Sequence, residues 1–419
     1  MAAWTRAPTA RRWKTAAIIW EVGAAALDAS FAAFPASAKI DAVNGFVNGV
    51  PTVMAQSWGR RLGIIKLTMV YQAGKWVVQP AKTTVESRGF KYTDGKTLVK
   101  ADPAIAPLVA TEHAATIASY TTLFRSSTDF EMSAYFALVG DVSAIQLVNQ
   151  AQLDYVKNFI ATSTDATLSS YKNIPVISCS APFKAGRNGP SDFTDVAAGA
   201  TPAAPIGLQV RNPGDLYLYS NNNLQAVKIK GSDLKAWLET SAKQFGQIDP
   251  ASTAEQDLVP SYGTIYNYDV FYAENNALTY QIDVTKKPGS RIVNLTYKGA
   301  PVADGDDFIV ATNDYRAGGG GAVPGIDGSK TIIKSPDANQ AVVSNYLASL
   351  STKGGKVTLA ANGSARSWSF VKTATAGPVI LRSAPGHLAL AQGSGIANVA
   401  AEGGLDASGF AKYRIDLSK

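Results

Sequence analysis

The chain has 419 residues, 46% of them hydrophobic and 17% charged, with a formal net charge of +7 and one cysteine. That is enough for two or three domains with packed cores, and it excludes wholesale disorder and an internal disulfide framework. The charge is mild and partly gathered at Arg6, Arg11, Arg12 and Lys14, so no nucleic-acid-binding surface is read from it.

Taken in chain order, the head has a basic start and an A-x-A-like end at Ala36-Ser37-Ala38. Glu21 and Asp28 interrupt what should be an uncharged stretch, so it is no convincing signal peptide. No run of eighteen apolar residues occurs, and no membrane helix is expected. From Val50 to Val85 the pattern is strand-like, with Gln72-Ala73-Gly74 as a hairpin turn. Asp102 and Pro103 suit the cap and first residue of a helix, with Pro107 as a later start; Ile105, Leu108 and Val109 would share a face.

A second helix is read in "SAIQLVNQAQLDYVKNFI", where Val148, Ala151, Tyr155 and Phe159 recur at three- and four-residue spacing. A third is "GSDLKAWLETSAKQF", capped by Ser232 or Asp233, with Leu234, Trp237 and Leu238 facing inward. Short strands follow in "PVISCSA", "LQAVKIKG", "IYNYDVFY", "LTYQIDV", "RIVNLTYKG" and "DFIVAT", then a helix in "SPDANQAVVSNYLASL". This mixed order predicts an α+β domain on a mixed or antiparallel sheet. From Lys353 onward the chain is rich in Gly, Ala and Ser and is expected to wrap the surface.

Few segments carry chemistry. With only His113 and His387, no H-E-x-x-H and no paired C-x-x-C, a zinc or di-metal site lacks its usual ligands. His113 reads as a solvated helical residue and His387 as an unremarkable residue after a Pro-Gly turn. Cys179, in the apolar run "VISCSAPF", reads as a buried small hydrophobe. "ADGDDF" reads as a solvated turn rather than a calcium loop.

"VATNDYRAGGGG" (310–321) is different. It fits neither the P-loop, since "GIDGSKT" has Ser329 where a glycine should stand, nor the dinucleotide triad, since no helix follows the glycines. Close approach of the backbone to a ligand is a physical reason for four glycines. In "DLYLYSNNN" a strand would put Tyr217 and Tyr219 on one face, either a half-buried edge or an aromatic plate for a nucleobase. Lys184 and Arg187, in a glycine-flanked loop, are either solvated or face a phosphate or ribose.

Together, "APFKAGR", "RNPGDLYLY", "AWLETSAKQFGQIDP", "YNYDV", "YQIDVTKKPGSRIVNLTYKGAPV", "FIVATNDYRAGGGG" and "YRIDLSK" resemble the C-terminal part of the bacterial 2′,3′-cyclic-nucleotide 2′-phosphodiesterase/3′-nucleotidases, of the 5′-nucleotidase family. The resemblance runs from about Phe34 to Lys419. It implies an α+β fold: a 5′-nucleotidase C-terminal domain-like mixed sheet packed with helices, preceded by the last strands of a metallophosphoesterase domain and a linking helix. The implied parts are an unrecognised head (1–33), a metallophosphoesterase remnant (34–100), the linking helix (101–125), the substrate-binding domain (126–375) and a tail wrapping the surface (376–419).

In that family the C-terminal domain holds the nucleoside, its base between two aromatic rings. The resemblance places the rings at Tyr219 and Tyr315, with Arg187 at the substrate's polar end and Asn221 and Asn313 as further contacts. Ser220 stands where the family usually has proline, and the asparagine run is one residue longer, which puts Asn221 in doubt. The family's two divalent metal ions sit in the catalytic domain, whose motifs (Asp-x-His, Gly-Asp, Asn-His-Glu, Gly-His-x-His) do not occur here as a set. "FAAFPASAK" matches the Phe-Pro after the last motif, but no histidine precedes it.

The expectation is therefore a partial chain, from truncation or a frame shift, with no catalytic residue and no metal ligand of its own. Its partner is a small-molecule nucleotide or nucleoside; no nucleic acid, membrane or protein partner is inferred. The resemblance implies the periplasm. Three functions stay open: a nucleoside-binding part, an active nucleotide hydrolase whose catalytic domain comes from an intact gene, and a degraded chain that sticks to partners.

Overall fold

The computed structural model describes residues 39–41, 43–53, 61–90, 98–350, 355–363, 365–393 and 395–419. The head 1–33, with the signal-peptide reading, lies outside them. The chain divides into two compact units, Met1–Ala110 and Thr111–Lys419.

In the first unit Arg61–Lys66 pairs antiparallel with Thr84–Gly89, and Met69–Gln72 with Lys75–Val78. Because Gln72 itself pairs with Lys75, the turn is the two residues Ala73-Gly74, both at positive φ as the tight hairpin requires. Leu62, Tyr71 and Trp76 are exposed on these strands. The expected single linking helix is instead two, Ile105–Leu108 and Ala110–Tyr120, broken at Val109, with a strand from Leu123. Pro107, which cannot donate into a helix, sits just before the break. Ile105, Leu108 and Val109 are all exposed.

The second unit is built on a five-stranded mixed sheet. The elements that frame it are, in chain order, α1 (Ser143–Thr162), β1 (Val176–Ser180), α2 (Asn212–Leu216), β2 (Asn223–Lys230), α3 (Gly231–Ser241), β3 (Val270–Tyr272), β4 (Asp307–Asn313), α4 (Asp314–Ala317), β5 (Thr331–Ala338) and α5 (Asn339–Leu350). The strand order is β3-β1-β4-β2-β5. β1 and β4 run parallel, and the other neighbours are antiparallel.

Both faces of the sheet are buried, so β4 reads as a continuous apolar run. Phe308 and Val310 enter one core with Leu234 and Trp237 of α3; Ile309 and Ala311 enter the other with Leu147, Val148 and Ala151 of α1. The predicted α1 stripe holds: Val148 and Ala151 are buried, and Tyr155 and Phe159 pack at the edge. The first half of α1 is buried all round, with Gln146, Asn149 and Gln152 hydrogen-bonded inside.

Several boundaries differ from the sequence reading. The α3 cap is Lys230, while Asp233, three positions on, accepts the Lys230 backbone N–H at 3.0 Å. "SPDA" is the end of β5 rather than the start of α5; β5 is an edge strand, where Pro336 costs no ladder bond. "DLYLY" contains the end of the short helix α2, and Tyr217–Tyr219 then run outside any ladder.

Residues 376–393 and 395–419, expected as a surface tail, contribute strands and buried side chains to the core. Val379–Ser383, Ala411–Ile415 and Val399–Leu405 join Gln256–Asp257 in a four-stranded sheet, and Leu381, Tyr413 and Ile415 are buried. Its Gly- and Ala-rich connections mask these short apolar strands from a compositional reading. Among the described residues no helix is long and apolar enough to cross a membrane.

Candidate functional site

Strand register decides which loops meet. β2 and β4 are antiparallel with Leu224 opposite Asn313, so continuing the register past their ends sets Asn222 abreast of Tyr315. β1 is parallel to β4, and the loop after Ser180 leaves at that same end carrying Phe183 and Arg187. β3 is antiparallel to β1 with Val270 opposite Ser180, so the turn Ile265–Asn267 before it brings Tyr266 there too.

These loops enclose a cleft of about 410 Å³, within the range of small-ligand sites. All five residues singled out from the sequence line it: Arg187, Tyr219, Asn221, Asn313 and Tyr315. So do Phe183, Asn222, Tyr266 and Arg316, which were not singled out. They stood inside or beside the quoted segments, but nothing in local sequence aims them at a common point.

The walls are mostly rings. Tyr315 is 51% exposed, and Tyr219 is half-buried. Phe183 takes both Tyr217 and Tyr219 on edge, with centroids 5.1 and 5.0 Å away. The two tyrosines thus share a side, as alternation suggests, but Tyr217 is wholly buried and only Tyr219 reaches the cleft. Arg187 is exposed, its guanidinium carbon 4.9 Å from the Tyr266 ring centroid, a cation–π distance. Lys184, in the same loop, does not line the cleft.

Asn313 is spoken for. It caps α4, its Oδ1 accepting the Arg316 N–H at 2.7 Å and its Nδ2 donating to the Tyr217 hydroxyl at 2.9 Å. The Tyr217 hydroxyl is driven strongly upward in pKa, chiefly by burial, and stays neutral.

The glycine run backs the site. A Cβ on Gly320 would stand 2.6 Å from Cζ of Tyr315 and nearer still to two carbons along that ring edge. Gly321, at φ +81°, leaves room for the Arg316 guanidinium. The sequence reading expected a ligand against these glycines; what Gly320 and Gly321 lie against in the structure is the tyrosine and arginine of the same motif. Arg316 is buried and forms an ion pair with the buried Asp269 at 2.7 Å; it also donates to the carbonyls of Gly320 at 2.6 Å and Tyr266 at 2.8 Å. Burial pulls its pKa down, but Asp269 outweighs this and leaves it raised. Asp269 also accepts the Trp237 indole N–H at 2.7 Å. Arg316 thus fastens the glycine loop, the Tyr266 turn and α3 into one support.

The other expected features are accounted for without chemistry. Cys179 is buried and its thiol is pushed well up by burial. His113 is exposed on its helix. His387 is more than a bystander in packing: its ring stacks on Tyr135 at 3.7 Å. A larger cleft, about 540 Å³, lies beside Lys157, Lys172 and Lys298; it too has two tyrosines in its lining, Tyr171 and Tyr297, but its cations are exposed and it holds none of the residues singled out from the sequence. Among the described residues no group of three His, Cys, Asp or Glu could hold a metal ion. These residues do not fit a two-metal centre, and no chemistry is derived through one.

The cleft thus lies at one end of the mixed sheet, with Tyr219 and Tyr315 in its lining. Residues 206–327 match the family model of the 5′-nucleotidase C-terminal domain, which spans Tyr219, Asn221, Asn313 and Tyr315. Residues 206–327 are thus a 5′-nucleotidase C-terminal domain. The chain is 36% identical over 407 residues to the 2′,3′-cyclic-nucleotide 2′-phosphodiesterase/3′-nucleotidase of Haemophilus influenzae, covering 92% of this chain and 58% of that protein. The protein of the same name from Salmonella typhimurium is 35% identical over 402 residues, covering 90% and 58%. The trifunctional nucleotide phosphoesterase YfkN of Bacillus subtilis is 36% identical over 323 residues, covering 74% of this chain and 20% of that one. The chain thus spans no more than 58% of the length of these relatives.

Proposed function

We propose that this chain is the nucleoside-binding part of a 2′,3′-cyclic-nucleotide 2′-phosphodiesterase/3′-nucleotidase, with the base stacked between Tyr219 and Tyr315. One observation carries the reading: two tyrosines from separate loops line the same 410 Å³ cleft, with an exposed arginine beside them. A base has two apolar faces and a polar rim, and one stacked ring is worth roughly 1–3 kcal/mol. Arg187 is placed for the charged or hydroxylated end, and Asn221, exposed and at the cleft edge, for the rim.

Titration calorimetry with adenosine and 3′-AMP tests this. Tyr315→Ala and Tyr219→Ala should each weaken binding roughly 5- to 150-fold, the stacking range converted to affinity. Unchanged affinity in both would remove the stacking assignment. A second reading, full hydrolysis by this chain, follows from the relatives' names. Metal-dependent phosphate release from 2′,3′-cyclic AMP and 3′-AMP by the purified chain would favour it over a binding part alone. A periplasmic location belongs to the same family-based reading, and cell fractionation tests it.

A further inference from the structure

We infer that the cleft selects nucleobases bearing an exocyclic amino group, through an acceptor on Asn222 whose orientation Asp314 fixes. This rests on the nucleoside-binding reading and adds to it which bases are taken.

Asn222 is half-buried in the cleft wall. Its Nδ2 donates to Oδ1 of Asp314 at 3.0 Å, and the same oxygen accepts the Tyr315 backbone N–H at 2.8 Å. A carboxylate can only accept, so the amide of Asn222 has one tolerable orientation; turned over, it would set oxygen against oxygen. The backbone is held as well, since the Asn222 carbonyl accepts both the N–H and the Nδ2 of Asn339, at 2.9 and 3.2 Å. What remains of the side chain is the second N–H of Nδ2 and, fixed on the other side of the amide, Oδ1, an acceptor that no donor meets among the described residues.

The other polar groups do not compete for this role. Asn313 has committed both amide atoms, and Arg316 is engaged with Asp269, Gly320 and Tyr266. Asn221 is exposed and can turn either amide atom toward a ligand, so it does not discriminate. No carboxylate lines the cleft. The hydroxyls of Tyr219, Tyr266 and Tyr315 can rotate to donate or accept and so do not discriminate, which leaves Asn222 Oδ1 as the side-chain acceptor of fixed orientation among the described residues that line the cleft. A 6-amino purine or 4-amino pyrimidine brings a donor to it, whereas the 6-oxo or 4-oxo counterpart brings a second acceptor and leaves both unpaired.

The experiment measures affinity for two matched pairs, adenosine against inosine and cytidine against uridine. The wild-type chain should prefer the amino member of each pair by roughly 5- to 150-fold. Asp314→Ala frees the amide to turn over, and the preference should collapse, mainly through a gain for inosine and uridine. Asn222→Ala should collapse it through a loss for adenosine and cytidine. A merely structural role for either residue would weaken all four nucleosides together and leave the ratios standing. Equal affinities in the wild type, or ratios that survive in Asp314→Ala, overturn the inference while leaving the stacking site intact. If none of the four binds, the nucleoside reading itself fails. Should Asp314→Ala not fold, the wild-type ratios and Asn222→Ala decide.

Discussion

Gly320 tests whether the Tyr315 ring must stand where it does. Its φ is not in the left-handed region, so alanine adds no backbone strain, and the three atoms nearest the new Cβ all belong to the Tyr315 ring. That Cβ would lie 2.6 Å from Cζ of the ring, against a comfortable 3.5–4.0 Å, so the ring must shift by about 1 Å. A gap of that size forfeits about a quarter to a half of a contact's attraction. Applied to a stack worth roughly 1–3 kcal/mol, the loss is about 0.3–1.5 kcal/mol, or roughly 2- to 13-fold in affinity. Complete loss of the stack in Tyr315→Ala sets the ceiling. Because the ring is half exposed, the melting temperature should move by no more than about 2 °C. Calorimetry with adenosine beside a thermal melt reads both. Wild-type affinity in Gly320→Ala would refute the claim that the glycine run serves to position this ring.

Gly321→Ala should behave in the opposite way. It combines φ +81° with a Cβ 3.0 Å from the Arg316 guanidinium carbon and 2.9 Å from Asn267 Oδ1, so roughly 2–4 kcal/mol of stability should be lost in denaturant unfolding. Asp269→Asn removes the charge facing buried Arg316 and should destabilise by roughly 3–5 kcal/mol, measured the same way. Asp141 gives a pH signature: burial raises its carboxyl to about 6, against the bonds from Ser367 and the Trp368 N–H that lower it. A raised folded pKa favours the fold fully below pH 4, and that share, about 3 kcal/mol, is lost as pH rises through 6. Asp141→Asn should flatten the stability profile between pH 4 and 7, and an unaltered slope would remove Asp141 as its source.

The sequence by itself determined the chemistry on offer. Periodicity gave α1 and α3, apolar runs gave β1, β2 and β4, and the scarcity of histidine and cysteine narrowed the metal and thiol chemistry. Tyr219, Tyr315 and Arg187 were legible because their segments carry a family resemblance over most of the chain. Their convergence was implied by that resemblance alone and not by any local pattern. It depends on Leu224 facing Asn313 and on β1 running parallel to β4, pairings between residues far apart in sequence that local pattern does not encode. The same limit hid Phe183, Tyr266 and Asn222, whose neighbours come from other loops, and hid the strands of the C-terminal segment, which pair across long connections with one another and, through Val379–Ser383, with Gln256–Asp257. It also changed what the four glycines mean. Composition says that something must come close to them, and for Gly320 and Gly321 the tertiary structure identifies it as the tyrosine and arginine that precede them in the same motif.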